Sequence, residues 1–296
     1  MARFGRVLTA MVTPFTDEGD LDLDGAAELA RWLVAHGNEG LVVAGTTGEA
    51  PTLDHDEHIA LIEAVVEAVD VPVVAGAGSN DTRTAIRTSE RAAEVGAAGL
   101  LHVAGYYNRP SQAGLDAHFR AVAAATDLPI VIYDIPVRTG RKIATETILR
   151  LAEEVDTIVG LKDAAGNPGA TAALCARAPE GFEVYSGDDA LTLPLLAVGA
   201  VGTIGVATHW IGEEVAAMFD AFAAGDVERA RRINAALVPS YEFETGDAAP
   251  NPVPTKAVLG VLGLPGGPCR LPMGPEPPGL RDEARRLLAE LGKVAP

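Results

Sequence analysis

Thr157-Ile158-Val159-Gly160-Leu161-Lys162 is a short apolar, β-branched run closed by a lysine. Runs of this kind recur about every thirty residues, at 7–15, 40–45, 71–76, 99–107, 129–136, 157–162, 182–186 and 201–207. Between them, Ala-rich stretches carry apolar residues at helical spacing: 24–36, 54–69, 80–95, 112–126, 145–155, 168–177 and 189–198. Asp54, with Glu57 three residues on, is a helix start signal. Alternation of strand and helix demands parallel pairing through right-handed crossovers. Eight strands at this spacing predict an α/β fold, a (β/α)8 TIM barrel, with a doubly wound open sheet as its rival. After residue 207 the alternation stops. Helical patterns at 213–224, 226–241, 253–262 and 280–291 follow without strands between them. The expected division is a barrel over 1–225 and a small C-terminal helical domain over 226–296.

Composition narrows the function. The chain has 296 residues, 48% of them hydrophobic, and a net charge of −18. One barrel of about 250 residues plus an extension fits that length. No apolar run approaches the roughly 18–20 residues of a membrane span. The negative charge opposes binding to nucleic acid or anionic membrane, which need basic patches. The N-terminal stretch shows no apolar core or cleavage site of a secretory signal, and the two cysteines, Cys175 and Cys269, lie far apart without metal-ligand spacing. A cytoplasmic location is expected.

Lys162 is the residue that asks for an explanation. The chain holds four lysines against nineteen arginines, so Arg is its ordinary surface cation. A lysine can lose its proton when desolvated, whereas an arginine effectively cannot. A neutral amine attacks ketones and aldehydes to give a Schiff base. The alternative is an amine that snorkels to water from a strand end.

In such barrels the working face is the C-terminal edge of the strands. Those edges carry Gly45-Thr46-Thr47-Gly48-Glu49, Gly76-Ala77-Gly78, Tyr106-Tyr107-Asn108-Arg109-Pro110, Tyr133-Asp134-Ile135-Pro136 with Arg138, Lys162-Asp163, Ser186-Gly187-Asp188-Asp189 and Gly202-Thr203-Ile204-Gly205. Glycines flanking Thr46-Thr47 let the backbone turn and present N–H groups and hydroxyls to a carboxylate, or form a plain turn. Tyr133 and Lys162 lie on adjacent strands, so a phenol stands within reach of the amine as general acid and base, or caps the core. Arg138 offers a bidentate carboxylate anchor, or is a solvated loop cation. Tyr106-Tyr107 suits a subunit contact. Alternation along the strand points Asp163 away from Lys162. Gly160 falls on the face of Lys162 and leaves room beneath the amine.

These motifs, with Gly160-Leu161-Lys162-Asp163-Ala164, Pro250-Asn251-Pro252-Val253-Pro254-Thr255-Lys256 and Arg270-Leu271-Pro272-Met273, resemble the dihydrodipicolinate synthase/N-acetylneuraminate lyase family across almost the whole chain. The resemblance implies a lyase acting by a Schiff base: pyruvate bound as an imine on Lys162 and condensed with L-aspartate 4-semialdehyde to 4-hydroxy-tetrahydrodipicolinate, the first committed step of the diaminopimelate route to lysine. It implies that Thr46, Tyr133 and, from a neighbouring subunit, Tyr107 relay protons. Thr47 holds the pyruvate carboxylate, Arg138 the semialdehyde carboxylate, and backbone near Gly187 and Ile204 lines the pocket. It further implies no organic cofactor, no metal and a homotetramer built as a dimer of dimers, with small-molecule substrates as the other partners.

The same resemblance places His55, His58, Asn80, Thr84 and Tyr106 at a lysine feedback site. Thr84 and Ala50 stand where lysine-sensitive members often carry Glu and Ser, so inhibition by L-lysine is expected to be weak or absent. Three other readings stay open. A pyruvate aldolase cleaving sialic or keto-deoxy sugar acids is disfavoured by Arg138 and Thr46-Thr47. A non-catalytic sugar-acid sensor has no use for an amine–phenol pair. A phosphate-binding isomerase barrel needs Gly-rich loops after strands seven and eight, where this chain has Asp188-Asp189. His55 and His58 with Asp56 and Glu57 look metal-like, but two histidines three apart supply too few ligands. Gly76-Ala77-Gly78 lacks the rest of a dinucleotide fingerprint.

Overall fold

The computed structural model describes residues 2–295. Its elements run β1 (Val7–Ala10), α1 (Leu23–Ala35), β2 (Gly40–Val43), α2 (His55–Ala68), β3 (Val73–Gly76), α3 (Thr82–Glu94), β4 (Gly99–Val103), α4 (Gln112–Ala123) and β5 (Ile130–Asp134). Then come α5 (Pro136–Thr139), α6 (Thr145–Glu154), β6 (Ile158–Asp163), α7 (Pro168–Cys175), β7 (Glu183–Ser186), α8 (Thr192–Leu196) and β8 (Gly202–Gly205). The chain ends with α9 (Thr208–Ala223), α10 (Val227–Phe243), α11 (Val253–Leu262) and α12 (Leu280–Glu290). The eight strands pair in sequence order, all parallel, and β1 closes on β8. The fold is a TIM barrel followed by C-terminal helices.

The two-residue period of a strand sorts its side chains. On β2, Leu41 and Val43 face outward into the layer between sheet and helices, while Val42 faces the barrel axis. The outer layer takes the apolar stripes of the helices, such as Leu29 and Leu33 of α1 and Ile62 and Val65 of α2, all buried. Each contributes roughly 1.5–3 kcal/mol through burial. The barrel interior holds Leu8, Val42, Val74, Leu101, Val131, Tyr133, Tyr185 and Ile204. Two glycines make room for its plug: a Cβ on Gly99 would stand 2.6 Å from the Phe4 ring, and one on Gly202 2.9 Å from the Tyr185 ring. The lower barrel is therefore packed solid, and only its upper mouth is open to chemistry.

Most of the paired strands are shorter than the apolar runs. In the run 7–15 the regular strand covers only Val7–Ala10, yet Met11 and Val12 remain buried. Apolar character marks burial rather than pairing, and the chain stays buried as it leaves the ladder. The helix expected over 189–198 is split: Asp188 accepts from the Ala190 N–H at 3.1 Å and starts a 3-10 turn over Asp189–Leu191, after which α8 begins. Helix α9 starts at Thr208 instead of 213 and is kinked at Ile211, where Gly212 passes so close to α1 that a Cβ would stand 2.5 Å from the His36 carbonyl oxygen. Helix α5 has no counterpart in the periodicity, because four residues are too few to show one.

Helices α9 to α12 share an apolar cluster around Trp210, Met218, Phe219, Leu237, Val258 and Leu288. The Trp210 indole N–H donates to the Ser240 hydroxyl at 3.0 Å, joining α9 to α10. The expected division at 225/226 falls in the turn between these two helices. The C-terminal segment also reaches the barrel mouth. Lys256 of α11 pairs with Glu49 of the β2 loop at 2.7 Å, and both side chains are almost completely buried.

Candidate active site

Lys162 stands on β6 beside Tyr133 of β5 and Tyr185 of β7 in the register of the sheet. Parallel neighbours in register point to the same side, so the amine lies inside the barrel; its residue is 4% exposed. Its Nζ lies 4.5 Å from the centre of the Tyr133 ring. Burial pulls the amine from 10.5 down to about 8. The carboxyl groups of Asp189 and Glu244 oppose that fall, and the Arg138 guanidinium adds to it. A tenth or so of the amine is thus neutral at pH 7, where a free lysine is almost wholly protonated.

Tyr133 is held in the opposite sense. Burial pushes its phenol up to about 12, with Arg138 and a hydrogen bond from Thr46 acting against it. It is a neutral proton carrier at any physiological pH. Asp163 points outward, as alternation requires: its carboxylate accepts from the Ala165 N–H at 2.9 Å and the Thr171 hydroxyl at 2.6 Å.

The β2 loop brings Thr46 to this phenol and buries Thr47. Two non-glycine residues take left-handed φ here, Ala44 at 56° and Glu49 at 54°. The glycines serve a different purpose from the one expected. Neither Gly45 nor Gly48 has positive φ; a Cβ on Gly48 would press within 3.1 Å of the Met11 carbonyl oxygen. The strain at Ala44 and Glu49, about 1–2 kcal/mol each, is offset by tertiary bonds. Glu49 pairs with Lys256 and accepts from the Arg270 N–H at 2.9 Å. Asn251 Nδ2 donates to Thr47 Oγ1 at 3.0 Å, which leaves the threonine O–H free to donate elsewhere.

Room for the lysine comes from an unexpected glycine. A Cβ on Gly160 would strike the Glu183 carbonyl oxygen at 2.5 Å, so Gly160 serves strand approach rather than space beneath the amine. At Gly187, by contrast, a Cβ would lie 2.9 Å from Lys162 Cγ and 3.0 Å from its Cε. Ile204 is buried in the barrel interior below.

Arg138 sits on α5, exposed, and lines a cavity of about 490 Å³ together with Thr46, Tyr133, Ile135 and Asn251. The cavity extends past Ala50, His55, His58, Ser79, Thr84 and Tyr106. The Nε2 of His58 lies 2.7 Å from the Gly76 carbonyl oxygen, and burial pulls its pKa down. Among the described residues no group of three metal-capable side chains occurs.

Tyr107, nominated from the sequence, projects away from its own barrel mouth. It is 90% exposed, with φ of 67°, next to Arg109 at 48°. Asn108 donates to the Asn80 carbonyl at 2.7 Å and Arg109 to that of Gly140 at 3.0 Å, so the loop is tied down while the phenol projects outward.

Of three further residues at this mouth, Asn251 and Glu49 were visible only as parts of longer motifs, and Glu244 carried no sequence signal. Each is placed by a contact with chain some two hundred or some forty residues away. Asp189 was visible only as part of an acidic strand edge.

Comparisons with known proteins cover almost the whole chain. The profile of the dihydrodipicolinate synthetase family matches residues 3–291. The 4-hydroxy-tetrahydrodipicolinate synthase of Moorella thermoacetica is 53% identical over 92% of this chain and 92% of its own. That of Symbiobacterium thermophilum is 50% identical over 99% of both. The crystal structure of the enzyme from Cyanidioschyzon merolae with lysine bound superposes with a TM-score of 0.96 at 42% identity, over 99% of this chain and all of that one. A match that spans both barrel and C-terminal helices, on top of a buried amine beside a phenol, leaves one conclusion: the chain belongs to the dihydrodipicolinate synthetase family.

Proposed function

We propose that this chain condenses pyruvate with L-aspartate 4-semialdehyde to 4-hydroxy-tetrahydrodipicolinate, the committed step of the diaminopimelate route to lysine. The observation that carries the mechanism is the Lys162 amine, buried against Tyr133 and drawn down to about 8. Its lone pair attacks the ketone carbon of pyruvate. The carbinolamine oxygen leaves as water after protons pass through Tyr133 and the neighbouring Thr46. The resulting imine loses a methyl proton to become an enamine. Its carbon adds to the aldehyde of the second substrate, whose own amine then displaces Lys162 as the ring closes. The lysine itself is the electron sink, so the reaction calls for no organic cofactor or metal.

The other roles follow from position. The Thr47 O–H, its acceptor side taken by Asn251, donates to the pyruvate carboxylate. Arg138, exposed at the edge of the cavity, anchors the carboxylate of the semialdehyde by bidentate bonds. Gly187 packs against the Lys162 side chain, and we assign it and the backbone around Ile204 to the wall of the pyruvate site. Tyr107, projecting from its own subunit, completes the relay in a neighbour, which requires a homo-oligomer; a dimer of dimers meets that need. Two free thiols and the lack, among the described residues, of any helix apolar enough to cross a membrane fit a cytoplasmic enzyme.

The outer part of the cavity bears on regulation. Thr84 donates its hydroxyl to Asp81 at 2.6 Å, and Ala50 offers no polar group. No carboxylate at these two positions awaits an effector ammonium, so inhibition by L-lysine is weak or absent. A titration of condensation rate against L-lysine checks this; full inhibition at low effector concentration would refute it.

The function is tested by incubating the protein with pyruvate, reducing with borohydride and mapping the modified residue by mass spectrometry. Trapping at Lys162, with condensation of the semialdehyde, is expected. Trapping without condensation, accompanied by cleavage of sialic acid, moves the chain to the aldolases. Absence of trapping leaves a binding protein.

A further inference from the structure

Two carboxyl groups outside the roles above occupy the buried side of the barrel mouth. Asp189, in the turn after β7, is 2% exposed, and its Oδ2 accepts from the Val206 N–H at 2.7 Å. Glu244, the residue that ends α10, accepts from the next amide, Ala207, at 3.1 Å. Consecutive amides beyond β8 therefore hold the two acids side by side. Their carboxyl groups lie close enough to share a hydrogen bond. The seat is shaped for them: a Cβ on Gly205 would stand 2.5 Å from Asp189 Oδ1. The groups facing the pair are Lys162 of β6, Asp188 of its own loop and Tyr241 of α10, with Arg138 of α5 acting on the same amine. The Tyr241 hydroxyl is buried there without a hydrogen-bond partner.

Two carboxylates in contact do not both ionise; one keeps its proton. Burial raises both acids, Glu244 the further, so the pair holds one proton and one negative charge. Imine formation creates the complementary need. A neutral amine, a ketone and one proton give water and an iminium cation, buried where water is scarce. An unpaired buried cation is costly, and Arg138 nearby makes it costlier. We propose that Asp189 and Glu244 act as one proton-sharing unit whose single negative charge is the counter-ion of the iminium on Lys162. They are positioning residues, acting through the lysine, and the pair neither gains nor loses a proton in the step. The proposal rests on the imine reading of Lys162.

The double variant Asp189→Asn with Glu244→Gln removes the charge and keeps the shape. Without a neighbouring anion the amine loses its proton more easily. The rising limb of kcat/KM for pyruvate against pH is expected to move down by about 1–3 pH units. The fraction of enzyme trapped by borohydride at limiting pyruvate is expected to fall about tenfold or more, because the iminium has lost its partner. Glu244→Gln alone leaves Asp189 charged with a donor facing it, so its limb stays in place. A merely structural role would lower thermal stability without moving the limb. An unmoved limb and unchanged trapping in the double variant overturn the proposal. A second measurement covers the case in which that variant does not fold. The unmodified protein at neutral pH should show the infrared carbonyl stretch of a protonated carboxylic acid, lost in Glu244→Gln; its absence also overturns the proposal. Failure of the unmodified enzyme to trap pyruvate at Lys162 would instead sink the functional reading itself.

Discussion

Lys162 illustrates a cost that function imposes on stability. A fall of the amine from 10.5 to about 8 in the fold corresponds to about 3 kcal/mol against the folded state. The sign is that of a depressed basic group. The folded chain binds fewer protons than the unfolded one between about pH 8 and 10.5, so the deficit is full below 8 and fades as pH rises through that window. Lys162→Met, close in volume and uncharged, should therefore be inactive yet more stable. At pH 7 its Tm should exceed that of the unmodified protein by about 5 °C. The gap should close toward pH 10. A variant no more stable at pH 7 would mean that the amine is not desolvated. The sequence made this residue visible, since a lysine ending an apolar run is conspicuous in a chain that otherwise uses Arg. It misplaced the glycine that accommodates the lysine, naming Gly160 where Gly187 does the task. Alternation within one strand is local, whereas packing across the barrel mouth depends on how two strands approach.

The elements show the same division between local and distant causes. The capping box of α2 was legible, because Asp54 and Glu57 are three residues apart, and both of its bonds are present at 2.8 and 3.0 Å. The second task of Glu57, two bonds at 2.6 Å from Arg270, links residues 213 positions apart and leaves no trace in periodicity. The Glu49–Lys256 pair is of this kind. It ties α11 to the β2 loop that carries Thr46 and Thr47, with Lys256 Nζ also donating to the Pro268 carbonyl at 2.8 Å and lying over the Phe15 ring. Side chains 4% and 1% exposed make it a buried pair rather than a surface one. Removing one partner strands the other charge. Lys256→Met should cost about 3–5 kcal/mol, and adding Glu49→Gln should restore a large part of it. Denaturant unfolding of the two variants decides the matter. A loss below about 1 kcal/mol in the single variant would show that the pair is no anchor.

At the scale of the molecule, barrel closure was readable because eight strand–helix units leave few topologies, whereas the proposed subunit association had only the dipeptide Tyr106-Tyr107 to point to it. Tyr107, Val137 and Leu271 are large hydrophobic residues 90%, 86% and 80% exposed. A strained, tied-down loop holds the Tyr107 phenol outward. Its proposed task in a neighbour makes a quantitative demand. In a two-fold dimer each site takes Lys162 from one chain and Tyr107 from the other. Take one variant with Lys162→Ala and another with Tyr107→Phe, each impaired alone. In a hybrid dimer, one site inherits both defects and the other inherits neither. Random reassembly of equal amounts makes about half the dimers hybrid, so about a quarter of full activity should return on mixing after dissociation. If Tyr107 acted within its own chain, every hybrid site would carry a defect and mixing would restore nothing. Recovery is thus read against zero, and a mixture no more active than its components rules out sharing of the relay across the interface.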